Sequence, residues 1–350
     1  MRPSSCGSNG KANRWRNKRC ASIHDSIFFV CCEKKNLRLE PKKNIWQGYK
    51  THYTMWKKQL RAVIEPFLLH DVIPVVVSPD MDGIVSTLIL HQYVQQFKKR
   101  VKIIGTYNSK TVMATTSFDE AKRALWVDID CRFPGVAHIG QHLLGDVTLN
   151  PHSFNPNHCF QEHTIYNKYP WGTAQLMLWG LFEKETDAFP IFREKFGLAK
   201  AAFLHCDSTY NNCIQYATNS KHWADVLFHD DGAPLSLKDV LNGSYHTNAL
   251  KVHCHMLKMV GPHVKGGGKR TMGWQQCTKQ QTVTAIPPLL QVLANMFRCN
   301  VPDCALDGAA PVFAGRLERW STDNVHQVEI HPEVVSHAII NRKTISVTLQ

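Results

Sequence analysis

In "VVVSPDMDGIVSTLIL" (75–90) a continuous apolar run stops at Ser-Pro, and Asp80 and Asp82 follow one residue apart, ahead of Gly83 and a second apolar run. Two carboxylates this close repel each other. One of them is explained if Ser78 or Asp80 caps the following helix while Gly83 eases the turn. Both are explained if a cation offsets the repulsion. "WVDIDC" repeats the pattern: Asp128 and Asp130 share one face if the strand stays extended, and Asp130 falls at its end. Carboxylate-rich sites of this kind suit hard divalent ions, manganese or magnesium in preference to zinc. The chemistry open to them is hydrolysis in which one or two such ions, roughly 3.5–4 Å apart when paired, clamp a phosphodiester and activate a water.

The elements that must position these acids alternate. Helical spacing runs through 53–69, a buried strand through 72–78 and a helix through 83–97. Further strands are expected at 102–107, 124–130 and 135–140, and further helices at 172–185, 197–210 and 287–297, before a strand-like ending at 338–350. Continuous apolar strands separated by helices imply an α/β fold, a mostly parallel sheet covered on both faces. Ligands of such sheets sit at the carboxyl ends of the strands, where these acids fall. The domain expectation is a basic, disordered extension at 1–45, an α/β domain at 46–245 and a smaller C-terminal α+β domain at 246–350.

Strand, "SPDMDG", helix, a second strand closing in "WVDIDC", then the His-containing turn "HIGQHLLG" resembles the DHH phosphoesterase superfamily, over roughly residues 70–210. That group includes RecJ-type single-strand exonucleases, small phosphodiesterases of oligonucleotides and cyclic dinucleotides, and manganese inorganic pyrophosphatases. The resemblance implies that Asp80 and Asp82 match the paired aspartates of the first motif. Asp130 matches the metal-bridging aspartate of the second, and Asp207 in "FLHCDSTYNN" the aspartate completing the second metal position. The naming triplet falls on Gly140, Gln141 and His142, so only its last histidine remains, as a metal ligand or phosphate contact. "NPHSFNPN" (150–157) matches an Asn-Pro turn near the site. Ser78 stands where a histidine is common; His138, His205 and His229 are candidate substitutes. The implied activity is a phosphoesterase using one or two manganese or magnesium ions on a nucleotide or single-stranded nucleic acid. The alternative is a degenerate relative that binds nucleic acid or a protein partner without hydrolysis.

Charge supports a polyanionic partner. The chain carries 41 Lys+Arg against 28 Asp+Glu, and residues 1–50 alone hold 12 against three. That segment also fits a transit peptide and a solvated tail equally well. "HVKGGGKRTMGWQQ" (263–276) offers Lys265, Lys269 and Arg270 to phosphates and Trp274 to a base. It resembles in placement the family's substrate-gripping Gly-Gly-His loop, with Lys269 in place of the histidine, and reads equally as an ordinary surface loop. The twelve cysteines are scattered, and the one pair that approaches a ligand-like interval, Cys299 and Cys304, reads as a turn; reduced thiols in a cytoplasmic compartment are expected. No apolar run nears the roughly 20 residues of a membrane span. Dinucleotide-binding, Walker and nucleophile-elbow motifs are missing, which disfavours dehydrogenases, P-loop ATPases and serine hydrolases.

Overall fold

The central strand explains itself. β1 (Val72–Val77) is "VIPVVV", a β-branched run that suits burial on both faces. In the computed structural model, which describes residues 55–142, 152–159, 167–194, 197–228, 234–241, 282–324, 331–341 and 344–350, β1 lies mid-sheet. Its neighbours are β2 (Arg100–Tyr107) and β4 (Leu125–Val127), both parallel to it. β5 (Ala137–Ile139) extends the sheet beyond β4 in parallel, and β3 (Thr111–Ala114) pairs antiparallel with the last half of β2. β6 (Asp303–Cys304) runs parallel beside the first half of β2, and β7 (Ala310–Ala314) closes the edge antiparallel to β3. The order β5-β4-β1-β2-β3-β7 means that the chain leaves β1 in one direction and returns on its other side, so a crevice opens between the carboxyl ends of β1 and β4.

Side-chain alternation divides the interior into two cores. Val75, Val77, Leu125 and Val127 face one core, and Val76 and Trp126 the other. The larger core is roofed by helix α1 (55–64), α2 (Met81–Gln95), α5 (Thr173–Leu181), α7 (Leu198–His205) and α11 (Thr282–Phe297). Nearly every side chain of α2 is buried, as expected of a helix that is apolar all round. Between these run α4 (Pro156–Cys159), α6 (Glu185–Ala188), α8 (Thr209–Gln215), α9 (Ala217–Phe228) and α10 (Leu235–Leu241). The smaller core lies under α3 (Phe118–Lys122), where Trp126, Tyr107, Phe133 and Phe313 interlock ring on ring. Among the described residues no helix is long and apolar enough to cross a membrane.

A second, antiparallel sheet follows in the order β8-β10-β9, made of β8 (Arg316–Ser321), β9 (Val334–Asn341) and β10 (Thr344–Leu349). It docks on the carboxyl edge of the main sheet. Tyr107 Oη and Ser336 Oγ lie 2.5 Å apart, and Arg132 N donates to Val335 O at 2.7 Å. The Thr348 hydroxyl donates to the Ser109 carbonyl. The expected boundary near residue 245 falls outside the described residues, as does the arm 1–45.

Two of the differences from the sequence expectation lie beside the acids. The strand expected over 124–130 ends at Val127, because Asp128 has φ +59° and leaves the extended region. Asp128 and Asp130 therefore do not share a strand face. The helix expected over 197–210 breaks at Cys206–Ser208, where Asp207 and Ser208 have φ +40° and +58°.

The acidic turn itself depends on a close approach. A methyl group on Gly83 would overlap the Ser78 carbonyl oxygen, a backbone atom at the end of β1. Gly83→Ala is therefore expected to cost about 1–3 kcal/mol by forcing α2 away from β1. Urea denaturation measures it, and a loss below about 0.5 kcal/mol, the range of ordinary surface changes, would contradict the approach.

Candidate metal centre

The acids reach the crevice from three places: the start of α2, the end of β4 and the kink after α7. Asp80 is the N-cap of α2: Oδ1 accepts from Gly83 N at 2.9 Å, and Oδ2 from Ser78 Oγ at 3.0 Å. The capping role is thus real. Asp82, in the first turn of α2, accepts from Thr173 N and Ala174 N, both at 2.8 Å. It sits at the positive end of α5, where unpaired N–H groups favour an anion. Asp128 follows β4 and accepts from Thr173 Oγ1 at 2.6 Å. Asp207, in the left-handed kink after α7, accepts from Gln141 Nε2 at 2.9 Å.

These four carboxylates act on one another. Burial, then Asp207 and Asp80, push Asp82 up to about 8. Burial, with Asp82, Asp80 and Asp207 nearby, holds Asp128 well above the usual carboxylate range. Burial likewise raises Asp80, against the hydrogen bonds from Gly83, Ser78 and Asp128 that hold it down.

Asp130 behaves differently. It is buried beside the turn that carries His138 and His142: Oδ2 accepts from His142 N at 2.9 Å and lies 3.1 Å from His142 Nδ1. Oδ1 accepts from Asn155 Nδ2 at 2.8 Å and lies 3.7 Å from His138 Nδ1. Burial alone would raise Asp130, but the contacts from His142 and His138 outweigh it and hold Asp130 below the usual range. Burial works against a charge on His142, and Asp130 overcomes it, so His142 is raised while remaining 38% exposed. His138 is fully buried, and neither ring nitrogen has a hydrogen-bond partner among the described residues.

The turn is fastened from below. Asn155 Nδ2 donates to His142 O and Asn157 Nδ2 to Gln141 O, at 2.8 and 2.7 Å. Both asparagines are fully buried. Gly140 has a specific reason to be glycine, since a Cβ there would overlap the Asp130 carboxylate. A carboxylate brought by residue 130 fills the space into which a side chain at 140 would grow.

The sequence-expected set is therefore placed as follows. Asp80, Asp82 and Asp207 meet electrostatically, and Asp128 is the member that joins them. Asp130 and His142 form an adjacent pair, joined to Asp207 through the Gln141 side chain. His205 is buried at the end of α7, while His229, Lys265, Lys269, Arg270 and Trp274 lie outside the described residues. Sequence reasoning named Asp128 and Gln141 without giving either a ligand role, and passed over Thr173. Period-two alternation concealed Asp128, because the positive φ that redirects it has no marker in "VDID".

Among the described residues, no three His, Cys, Asp or Glu side chains converge closely enough to hold a metal ion as arranged, since the carboxylate oxygens are turned onto protein donors. In kind the donor set fits a hard divalent cation: oxygen-rich, buried, self-repelling, and beside a buried imidazole with no hydrogen-bond partner.

No protein-family model and no curated protein matches the chain. Among solved structures it is similar to RecJ in complex with Mn2+ from Thermus thermophilus, at 12% identity and a TM-score of 0.28, over 90% of this chain and 53% of that one. It is also similar to a manganese-bound exonuclease RecJ, at 13% identity and a TM-score of 0.27, over 90% of this chain and 92% of that one. The chain thus spans about half the length of the Thermus protein. Likenesses this distant carry no residue-by-residue correspondence.

The raised carboxylates set a pH dependence. An acid whose folded pKa exceeds its unfolded value holds its proton longer when folded, so the folded state binds more protons and stability falls with rising pH. For Asp82 the window runs from the ordinary 3.8 to about 8. In EDTA the Tm is expected to drop between pH 5 and pH 8.5, magnesium or manganese is expected to recover part of the loss, and Asp128→Asn to flatten the slope. A Tm indifferent to pH and to both ions would contradict the electrostatic cluster.

Proposed function

We propose that this protein is a divalent-metal-dependent phosphoesterase that hydrolyses a phosphodiester in a nucleotide or single-stranded nucleic acid. The observation that carries the proposal is the assembly of Asp80, Asp82, Asp128 and Asp207 into one self-repelling cluster at the crevice between β1 and β4. These four would hold manganese or magnesium. When bound, such an ion lowers the pKa of a coordinated water and offsets charge on phosphoryl oxygens.

The chain's own groups have separable parts in this reading. α5 presents Thr173 N and Ala174 N to Asp82 and so fixes its orientation from behind. Asp130 engages His142 Nδ1 and raises the imidazole, and in its protonated form Nε2 would donate to a phosphate oxygen. The overlap of residue 140 with Asp130 supports this role: the triplet that resembles Asp-His-His has lost its aspartate, and a carboxylate from ten residues earlier occupies that space. The same proposal takes 1–45 as a basic extension, 246–350 as the substrate-binding part with Lys265, Lys269, Arg270 and Trp274 on its loop, and a reducing compartment. The described cysteines 131, 206, 213, 299 and 304 are free thiols, which supports the last point.

A second reading, binding without hydrolysis, is favoured by a specific observation. Gln141 donates to Asp207 from the position of a triplet histidine, so a protein amide takes up an oxygen that a metal would need.

Hydrolysis of bis-p-nitrophenyl phosphate by the full chain in manganese, magnesium or EDTA separates the two. Manganese-dependent turnover is expected, with a loss of about 10–100-fold or more in Asp82→Ala and in Asp128→Asn. Asp130→Gly is expected to be inactive, and Asp130→Gly/Gly140→Asp to recover activity by restoring the carboxylate from the other side. Silence with every metal, alongside salt-sensitive binding of single-stranded oligonucleotides, would replace the first reading by the second.

A further inference from the structure

Between the carboxyl edge of the main sheet and the β8-β10-β9 sheet lies a narrow cleft, partly open to solvent. Its polar lining is mostly hydroxyl: Ser78, Tyr107 and Ser109 from the main sheet's edge, and Ser336, Ser346 and Thr348 from β9 and β10. Asp128, Asp130, His142 and His337 also line it, and among the described residues no lysine or arginine does. Its two walls hold their spacing without a ligand. Tyr107 bonds to Ser336, the Thr348 hydroxyl donates to the Ser109 carbonyl, and burial pushes Tyr107 up to about 12, so it stays a neutral hydroxyl. Ser346, half-buried on β10, makes no side-chain hydrogen bond among the described residues.

A bare phosphate is poorly matched by this lining, because Asp128 and Asp130 would repel it and only two imidazoles, His142 and His337, stand against them. A sugar diol does suit it. Each sugar hydroxyl both donates and accepts; the carboxylates take the donated protons, and serine and threonine hydroxyls supply or accept the remaining bonds. The acid cluster opens on the same cleft through Asp128, where a phosphate attached to a bound sugar would reach it. Hence we infer that this cleft binds the ribose of the substrate, so that the preferred substrate is a ribonucleotide or RNA end rather than its deoxy counterpart. The inference rests on the phosphoesterase reading for the reaction, though not for the binding. The 2′-hydroxyl is the group by which a protein distinguishes the two nucleic acids.

The probes are adenosine 5′-monophosphate and its 2′-deoxy analogue, titrated calorimetrically into the full chain in magnesium buffer. The ribonucleotide is expected to bind about five- to tenfold more tightly, the worth of one or two hydrogen bonds. Ser346→Ala, with an unchanged Tm, is expected to bring it down to the deoxy level, and Thr348→Val to act in the same direction. Equal affinity for the two probes, no binding of either, or a Ser346→Ala variant that keeps the preference would overturn the inference. Manganese-dependent hydrolysis without a sugar preference removes the ribose site alone. A sugar preference without any hydrolysis removes the phosphoesterase reading and leaves the site standing.

Discussion

Repulsion between like charges held out of water is the constraint on which the rest of this structure depends. Asp80, Asp82, Asp128 and Asp207 converge from the ends of β1, β4 and α7, and burial together with neighbouring carboxylates, Asp207 among them, makes the first three harder to ionise. Such a cluster persists in a fold only where something offsets it. Here the fold provides partial offsets: the α2 cap for Asp80, the start of α5 for Asp82, the Thr173 hydroxyl for Asp128, and the Gln141 amide for Asp207. These are dipoles rather than full charges, and the raised carboxylates show that they do not complete the task. Three residues around the crevice also adopt left-handed backbone, which costs roughly 1–3 kcal/mol each when the residue is not glycine. Strain and repulsion gathered at one sheet edge mark that edge as the place where function outweighs stability.

Asp130 shows how such a site tolerates change in sequence. The turn 140–142 and the segment 155–157 lean on each other through Asn155 and Asn157, which bond the backbone of His142 and Gln141. With the turn held there, the space over Gly140 belongs to one carboxylate only, and Asp130 takes it. An aspartate at both positions would collide and repel; an aspartate at neither would leave His142 without its Nδ1 partner. The two positions are alternatives for one place.

How much was legible in the chain follows from the kind of signal each feature leaves. "VIPVVV" and the apolar run after Gly83 announce β1 and α2, since buried elements need unbroken apolar sequence, and the alternating order of strands and helices announces the parallel sheet. Asp80 and Asp82 were visible because a strand end followed by paired acids is uncommon. Asp128 was concealed, because its direction depends on a single backbone angle that nothing in "VDID" encodes. The break after α7 was concealed for the same reason: "LHCDSTY" contains no glycine or proline, and tertiary contacts override its helical tendency. The short strands β3, β6 and β7 carry too few residues to show a period, and their pairing is decided by partners up to two hundred residues away.

Those short strands bring the C-terminal part of the chain onto the acidic edge. β6 and β7 join the main sheet beside β2 and β3, and from β7 the chain runs directly through Gly315 into β8. The antiparallel sheet is thereby placed beside β2's carboxyl end by main-chain pairing rather than by a free tether. Tyr107 ends β2, packs against Trp126 from below, and meets Ser336 of β9 with its hydroxyl. The same residue belongs to the smaller core and to the cleft wall. A cleft built in this way has a width determined by strand register, and its hydroxyls are positioned before any ligand arrives, so a bound sugar would lose little to reorganisation of the protein. Carboxylates that repel an unneutralised phosphate on one side, and neutral hydroxyls on the other, leave the sugar as the part of a nucleotide that this cleft can hold by its own groups.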